Sequence, residues 1–343
     1  MPSAHTSSAK LYVYAGSILA ATVIQVLLPI PWLRGKDDRL RMVIDWHDPA
    51  VWRTLKLMLP VTLGLGLINV NALVDVFFAS RLIDPQLAPT AIDKAFRIYM
   101  LPQGVFSVAV ATVLFPTLSR QIARADVDGF RTTVALGLRQ IAFLLVPASI
   151  LSAVLAEPIV RLLYQRGQFT PHQTTAVAGA LAAFSLGLTF NGTMLMLNRA
   201  FFSLQSNWIP TVVALANLGV NAALDAAFYR FGIWGIPLST SVVNIAGTAA
   251  LVILLRRRLG HIDFAAISSS FLRVLLAAAF AGGAAFAIWE PIDSASGRSL
   301  GGQLASMLPA LAVAAAAYFV ACRAFRVREM QTLLSLRGRL RRA

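Results

Sequence analysis

A chain of 343 residues with 57% hydrophobic and only 13% charged positions, and a mean hydropathy of +0.70, is too apolar for a soluble domain, where about 25% of residues are charged. Its net charge of +15 would suit a nucleic-acid partner, but the bases lie in short segments between apolar runs, the topogenic pattern of a polytopic membrane protein. The sole cysteine, Cys322, and the scattered histidines His5, His47, His172 and His261 give no disulfide framework, metal-ligand cluster or cofactor site.

Met1 to Lys10 is a small polar tail. Leu11 to Leu33 is apolar throughout, too long for a signal-peptide core, and predicts a retained helix. Arg34 to Lys56 is a basic link. Further spans are predicted over Leu57–Ser80, Ala91–Leu118, Thr133–Ala156, Thr174–Leu197, Trp208–Phe228, Ile233–Leu255, Phe271–Trp289 and Gln303–Ala324. An Arg-rich tail follows. The expectation is an all-α polytopic membrane protein of about nine transmembrane helices, each needing roughly 20 apolar residues to cross about 30 Å of hydrocarbon. Placing the first tail outside leaves eight of the 30 Lys and Arg residues on the outer side and 22 on the inner. The positive-inside rule then selects N-terminus out and C-terminus cytoplasmic.

Small residues recur where helices should meet: Gly64 and Gly66, Gly179 to Gly187, Ala246 to Ala250, and the run from Ala277. Close packing in lipid depends on such residues, because apolar association gains nothing there.

Within the spans, polar residues are few and patterned. Asn71 and Asp75 are four apart and share a helix face, with Asn69 beside them. Asn217, Asn221 and Asp225 repeat at four-residue steps along another span. Isolated asparagines such as Asn191, Asn198 and Asn244 read as inter-helix hydrogen bonds. A carboxylate inside lipid is rarer and more costly, so Asp75 and Asp225 are candidates for a cavity, an ion site or an Arg partner. Asp225 lies only a few residues from the outer end of its span.

The stretch Ala95–Gln121 carries Arg97 at its head, with Pro102, Gly104 and Pro116 further along. Proline removes a backbone donor and crowds the preceding turn, which predicts a break or kink near Ile98 to Pro102. A mid-helix arginine costs about 2.5–3.5 kcal/mol on insertion scales, and some ten apolar neighbours at about −0.3 to −0.6 kcal/mol each offset that. Energetics thus leave two placements open, a guanidinium snorkelling to the headgroups and one facing a cavity. Asp93, one turn earlier, is its local partner candidate. In a cavity, the guanidinium's fork of paired donors would suit a phosphate.

At these residues the chain resembles the MurJ/MviN family of lipid II flippases, in the multidrug/oligosaccharidyl-lipid/polysaccharide exporter superfamily. The resemblance is carried by FRIYMLPQGVFSVAVATVLFPTLSR from Phe96, similar to the signature of that family's eighth helix. LKLMLPVTLGLGLINVNALVDVFFAS from Leu55, LLYQRGQFT from Leu162 and NRAFFSLQSNWIP from Asn198 support it. It implies two pseudo-related lobes around a central cationic cavity, with a final helix pair forming a groove for a polyprenyl tail. The implied substrate is lipid II, the undecaprenyl-diphosphate-linked peptidoglycan precursor, moved from inner to outer leaflet of the bacterial cytoplasmic membrane. Implied partners are that lipid and the membrane lipids, with no nucleic acid, and no enzymatic activity is expected. Arg97 falls on the family's cavity arginine. Some members carry an acidic residue just before it, where this chain has Phe96, so any pairing must use Asp93 or another helix.

The nine spans correspond to helices six to fourteen of that pattern. Residues 1–52 would be a linking helix and basic link, 53–258 a six-helix lobe, and 259–343 the groove pair and tail. Helices one to five, with the family's other cavity arginines, have no counterpart. A truncated product, a misplaced start or half of a split pair, inactive alone and partnered by a separate N-terminal lobe, is therefore expected. An exporter of another undecaprenyl-diphosphate-linked glycan and a non-transporting membrane partner are the alternatives.

Overall fold

A computed structural model of the chain describes residues 4–28, 48–260, 264–297 and 299–330. It divides into two compact units, Met1–Thr54 and Leu55–Ala343. Among the described residues every regular element is helical. Eight helices are long and apolar enough to cross a membrane, and a shorter apolar stretch, Ala15–Gln25, lies in the first helix, α1 (Ala4–Leu27). Residues 29–33 of the first predicted span lie outside the described residues, as do most of the basic link and the end of the Arg-rich tail.

α2 (Pro49–Phe78) starts well before the predicted Leu57 and continues through a π-helical turn, Ala79–Ile83. α3 (Ala88–Pro102), a second π-helical turn over Gln103–Ser107, and α4 (Val108–Ala123) form one continuous span. Of the break or kink expected near Ile98 to Pro102, the break is corrected: the helix runs on, and the irregularity is a π-helical turn just after Pro102. Proline deprives the carbonyl of Ile98 of its amide partner, and widening the next turn absorbs the misfit without unwinding the chain.

α5 (Val127–Val154) begins at Asp126, whose side chain accepts from the Gly129 amide at 2.8 Å. The segment after it contains a short helix, α6 (Ala156–Tyr164). α7 (Pro171–Ser203) opens with a reciprocal cap between Thr170 and Gln173, which satisfies two amides the helix cannot. α8 (Trp208–Phe228), α9 (Gly235–Leu259), α10 (Phe264–Ser296) and α11 (Leu300–Ala324) complete the second unit.

α7 is the core of that unit. Leu181, Leu188, Met196, Leu197, Ala200 and Phe201 are fully buried, and it packs against α3, α5, α6 and α9. Its closest approach is to α9 at Gly187, where a β-carbon would lie 2.7 Å from Ser241 Cα. The Ser241 hydroxyl donates across this contact to the Ala183 carbonyl at 2.6 Å. Small residues thus let two helices touch, as expected from the sequence. Not every glycine does this: a β-carbon on Gly66 would meet nothing.

α10 and α11 pack on each other, and α10 lies along α5, which α11 touches locally. Tyr318 donates to the Phe143 carbonyl at 2.7 Å. Arg139 of α5 pairs with Glu329 at 2.5 Å, and Arg161 of α6 with Asp293 of α10 at 2.7 Å.

Candidate functional site

The seven residues singled out from the sequence separate into two places, with one set apart. The first place is the head of α3. Its buried stripe, Ala88, Ala91, Ile92, Ala95, Ile98 and Tyr99, faces the core, and Asp93 and Arg97 occupy the opposite face. Arg97 Nε donates to Asp93 Oδ2 at 2.8 Å, with side chains 70% and 58% exposed. The i, i+4 spacing brings the two together. Phe96, standing where an acidic residue was expected in relatives, stacks on Tyr99 with ring centres 5.7 Å apart and packs on Phe184. It is a packing residue, and Asp93 carries the pairing.

The depth of Arg97 follows from length. The span Ala88–Ala123 has 36 residues, about 54 Å of helix at 1.5 Å per residue. Centred on about 30 Å of hydrocarbon, it extends some 12 Å beyond each edge. Arg97 is nine residues from Ala88, about 13 Å along, which on that centring would put it near the hydrocarbon boundary. The insertion cost of a mid-membrane arginine falls away there, and that depth is also where lipid phosphates are found.

The second place lies between α2, α8 and α9. Asn71 Nδ2 is 3.3 Å from Asp75 Oδ2. Asn221 Nδ2 donates to Asp75 Oδ1 at 2.8 Å and to Asp225 Oδ2 at 3.1 Å. The Ser239 hydroxyl contacts the other oxygen of Asp225. Asp225, placed by the sequence near the end of its span, is fully buried, and Asn221 is 1% exposed. Asn221 Oδ1 is buried with no hydrogen-bond partner. Two carboxylates, an orphaned amide oxygen and a hydroxyl thus converge within the lipid-spanning layer. Asn217 is outside this cluster; its amide nitrogen lies 3.9 Å from Met194 Sδ.

A third polar group went unpredicted as a unit. Asn191 Nδ2 donates to Tyr99 Oη at 2.7 Å and to Gln103 Oε1 at 3.2 Å, and Asn244 Nδ2 approaches the same hydroxyl at 3.4 Å. These bonds tie the end of α3 and the π-helical turn to α7 and α9. Ser239 was also missed, because a serine in a run of small residues carries no sequence signal. Lys94 was missed as well, since nothing in its local sequence sets it apart from the other bases.

Long apolar helices, a turn widened after Pro102 and convergent polar groups between helices define a multi-pass membrane protein. The family model described as "Lipid II flippase MurJ" matches residues 3–293. The chain belongs to that family. A probable lipid II flippase MurJ of Vibrio cholerae is 31% identical over 230 residues, covering 67% of this chain and 43% of the relative. Another, of Bdellovibrio bacteriovorus, is 28% identical over 308 residues, 89% of this chain and 58% of the relative. The chain thus spans about half the length of the curated relatives it matches. Among solved structures, a lipid II flippase MurJ in an inward closed conformation shares the fold with a TM-score of 0.65 at 22% identity, covering 82% of this chain and 57% of that one. An outward-facing MATE transporter of the MOP superfamily gives 0.52 at 15% identity, over 82% of this chain and 67% of that one.

Proposed function

We propose that this chain takes part in moving lipid II, or a closely similar undecaprenyl-diphosphate-linked precursor, across the bacterial cytoplasmic membrane, with its N-terminus outside and its C-terminus in the cytoplasm. The observation that carries this reading is the Asp93–Arg97 pair on the exposed face of α3, near one end of its span. A guanidinium offers paired donors in a fixed fork, the geometry that suits a diphosphate. Asp93 also keeps the site from binding anions indiscriminately. Residues 53–258 would form the lobe bearing this contact, and 259–343 the pair guiding the polyprenyl tail. Transport by rocking of one lobe against another makes a separate lobe the expected counterpart of the Arg97 face.

The α2–α8–α9 cluster supplies the coupling element of the same reading. Adjacent carboxylates buried in lipid carry an uncompensated double charge unless a proton or small cation is held between them. The Asn221 and Ser239 oxygens are donors suited to a hard cation.

The test is binding of lipid II to the purified chain in nanodiscs. The Arg97→Ala variant is expected to weaken it about tenfold or more, since charged hydrogen bonds contribute about 1.5–3 kcal/mol. Unchanged binding would remove Arg97 from the function. Competition by a different undecaprenyl-diphosphate-linked glycan with equal affinity would favour the broader exporter reading. For the cluster, raising sodium or lithium at constant ionic strength, or lowering pH, is expected to raise the thermal midpoint in the native chain but not in Asp225→Asn. Equal responses in both would exclude coupling there.

A further inference from the structure

One cation beside Arg97 has no role in that reading. Lys94 lies one turn earlier on α3, about 60° around the helix and roughly 4.5 Å along it, so its long side chain reaches the same region of surface. Asp93 is committed to Arg97, and among the described residues Lys94 forms no salt bridge. Its ammonium instead rests over two aromatic rings, 4.6 Å from the centre of Tyr164 and 5.6 Å from that of Phe169. Tyr164 is the last residue of α6 and Phe169 lies in the connection to α7, and the Tyr164 hydroxyl also fastens this corner to α3, 3.4 Å from the backbone carbonyl of Lys94.

We propose that Lys94 is the second phosphate contact of the Arg97 site, the group that distinguishes a diphosphate from a monophosphate, and that Tyr164 and Phe169 hold its ammonium until the substrate arrives. This rests on the reading of Arg97 as a headgroup contact. The relative strengths favour the exchange. A cation over an aromatic face at a half-exposed position is held weakly, whereas an ammonium–phosphate hydrogen bond between full charges is among the stronger polar contacts. Transfer from ring to phosphate is therefore downhill, and a purely apolar or singly charged visitor leaves Lys94 where it is. The two cations also differ in kind. Arg97 presents a flat fork in a fixed orientation, and Lys94 is a mobile point charge on a flexible stem. The first positions one phosphoryl group and the second follows the other.

The experiment compares a short polyprenyl diphosphate with its monophosphate, each titrated against the full chain in nanodiscs of neutral phosphatidylcholine. The native chain is expected to prefer the diphosphate about tenfold. Lys94→Ala should abolish that preference while leaving monophosphate affinity unchanged, and Lys94→Arg should preserve it. Tyr164→Leu, which removes one ring from the seat, should raise diphosphate affinity two- to threefold. Arg97→Ala should weaken both ligands, so its failure to do so would sink the headgroup reading independently of Lys94. The proposal is overturned if Lys94→Ala keeps the native preference, or if the native chain has none. An unaltered thermal midpoint for Lys94→Ala and Lys94→Arg separates loss of contact from loss of fold.

Discussion

Asp84 illustrates how much a single exposed carboxylate can be asked to do. It lies between the spans of α2 and α3, and its Oδ1 accepts from the Leu87 and Gln86 amides at 2.8 Å each. These amides, Leu87 first, hold its carboxyl below the usual carboxylate range, because hydrogen bonds to the ionised form favour it. A depressed folded pKa means that the contribution is complete above the unfolded value, about 3.9, and is lost as pH falls through the lower folded value. Asp84→Ala is thus expected to lower the thermal midpoint in detergent at pH 7, with the gap to the native chain closing below about pH 4. A gap independent of pH would show that the carboxylate is not the source. At this scale the sequence was informative where chemistry is local. The i, i+4 spacing of Asp93 and Arg97 gave their pairing, and that of Asn71 and Asp75 their shared face. It was uninformative where a contact joins distant segments. Asn221 and Asp75 are separated by 146 positions, and no periodicity announces that one amide bridges two carboxylates on different helices. Lys94 escaped for the same reason, since its aromatic partners come from a later segment.

Pro102 shows what a helix does with a local defect when its surroundings are fixed. Composition located the defect correctly, but its form depended on neighbours that only the fold supplies. The amide of Asn191 bonds both Tyr99, before the proline, and Gln103, after it. It therefore ties the side chains on either side of the point where the backbone ladder loses a bond to one residue of α7. Asn191→Leu retains approximate volume while removing both donors, leaving half-buried Gln103 Oε1 without this donor and the buried Tyr99 hydroxyl with only the longer Asn244 contact. The expected destabilisation is about 1–3 kcal/mol. Hydrogen exchange should rise across residues 98–107 and remain native-like in α10 and α11. Exchange that rises everywhere would indicate a general loss of packing and no local pin. The same logic explains the spans. Their number and order follow from hydropathy, because lipid demands long apolar helices. Their ends do not, because capping groups such as Asp126 and Thr170 carry α5 and α7 several residues beyond the apolar stretch.

The α10–α11 pair bears on the whole molecule, because it is fastened to the preceding helices by ion pairs at two separated points. Glu329, just beyond α11, meets Arg139 of α5 with side chains 4% and 18% exposed, and accepts a hydrogen bond from Ser270 near the start of α10. Asp293, near the other end of α10, meets Arg161 of α6 with side chains 16% and 11% exposed, and also contacts Ser306 of α11. Apolar contact along α5 would hold the pair in place without fixing its register, since apolar faces slide in lipid at little cost. Charges this deep resist sliding, because a displacement that parts them leaves Arg139, Glu329 and Asp293 without their ion-pair partners in a poorly solvated place, and Arg161 with only Glu157 at 3.2 Å. Removing one partner of a buried pair costs about 3–5 kcal/mol for that reason, while replacing both can be nearly neutral. Arg139→Ala is accordingly expected to be strongly destabilising in detergent, and Arg139→Glu more so. The double reversal Arg139→Glu with Glu329→Arg should recover most of the loss, and Arg139→Leu with Glu329→Leu should recover stability without restoring the register. Those two doubles separate the alternatives. A disulfide engineered between Ile150 of α5 and Gly282 of α10, where a β-carbon on the glycine would lie 2.6 Å from Ile150 Cγ2, should form readily in the charge-reversed chain. It should form more slowly, and alongside shifted partners, in the leucine double. Equal cross-linking in both would mean that apolar packing alone sets how the pair sits, and that the ion pairs contribute stability but no register.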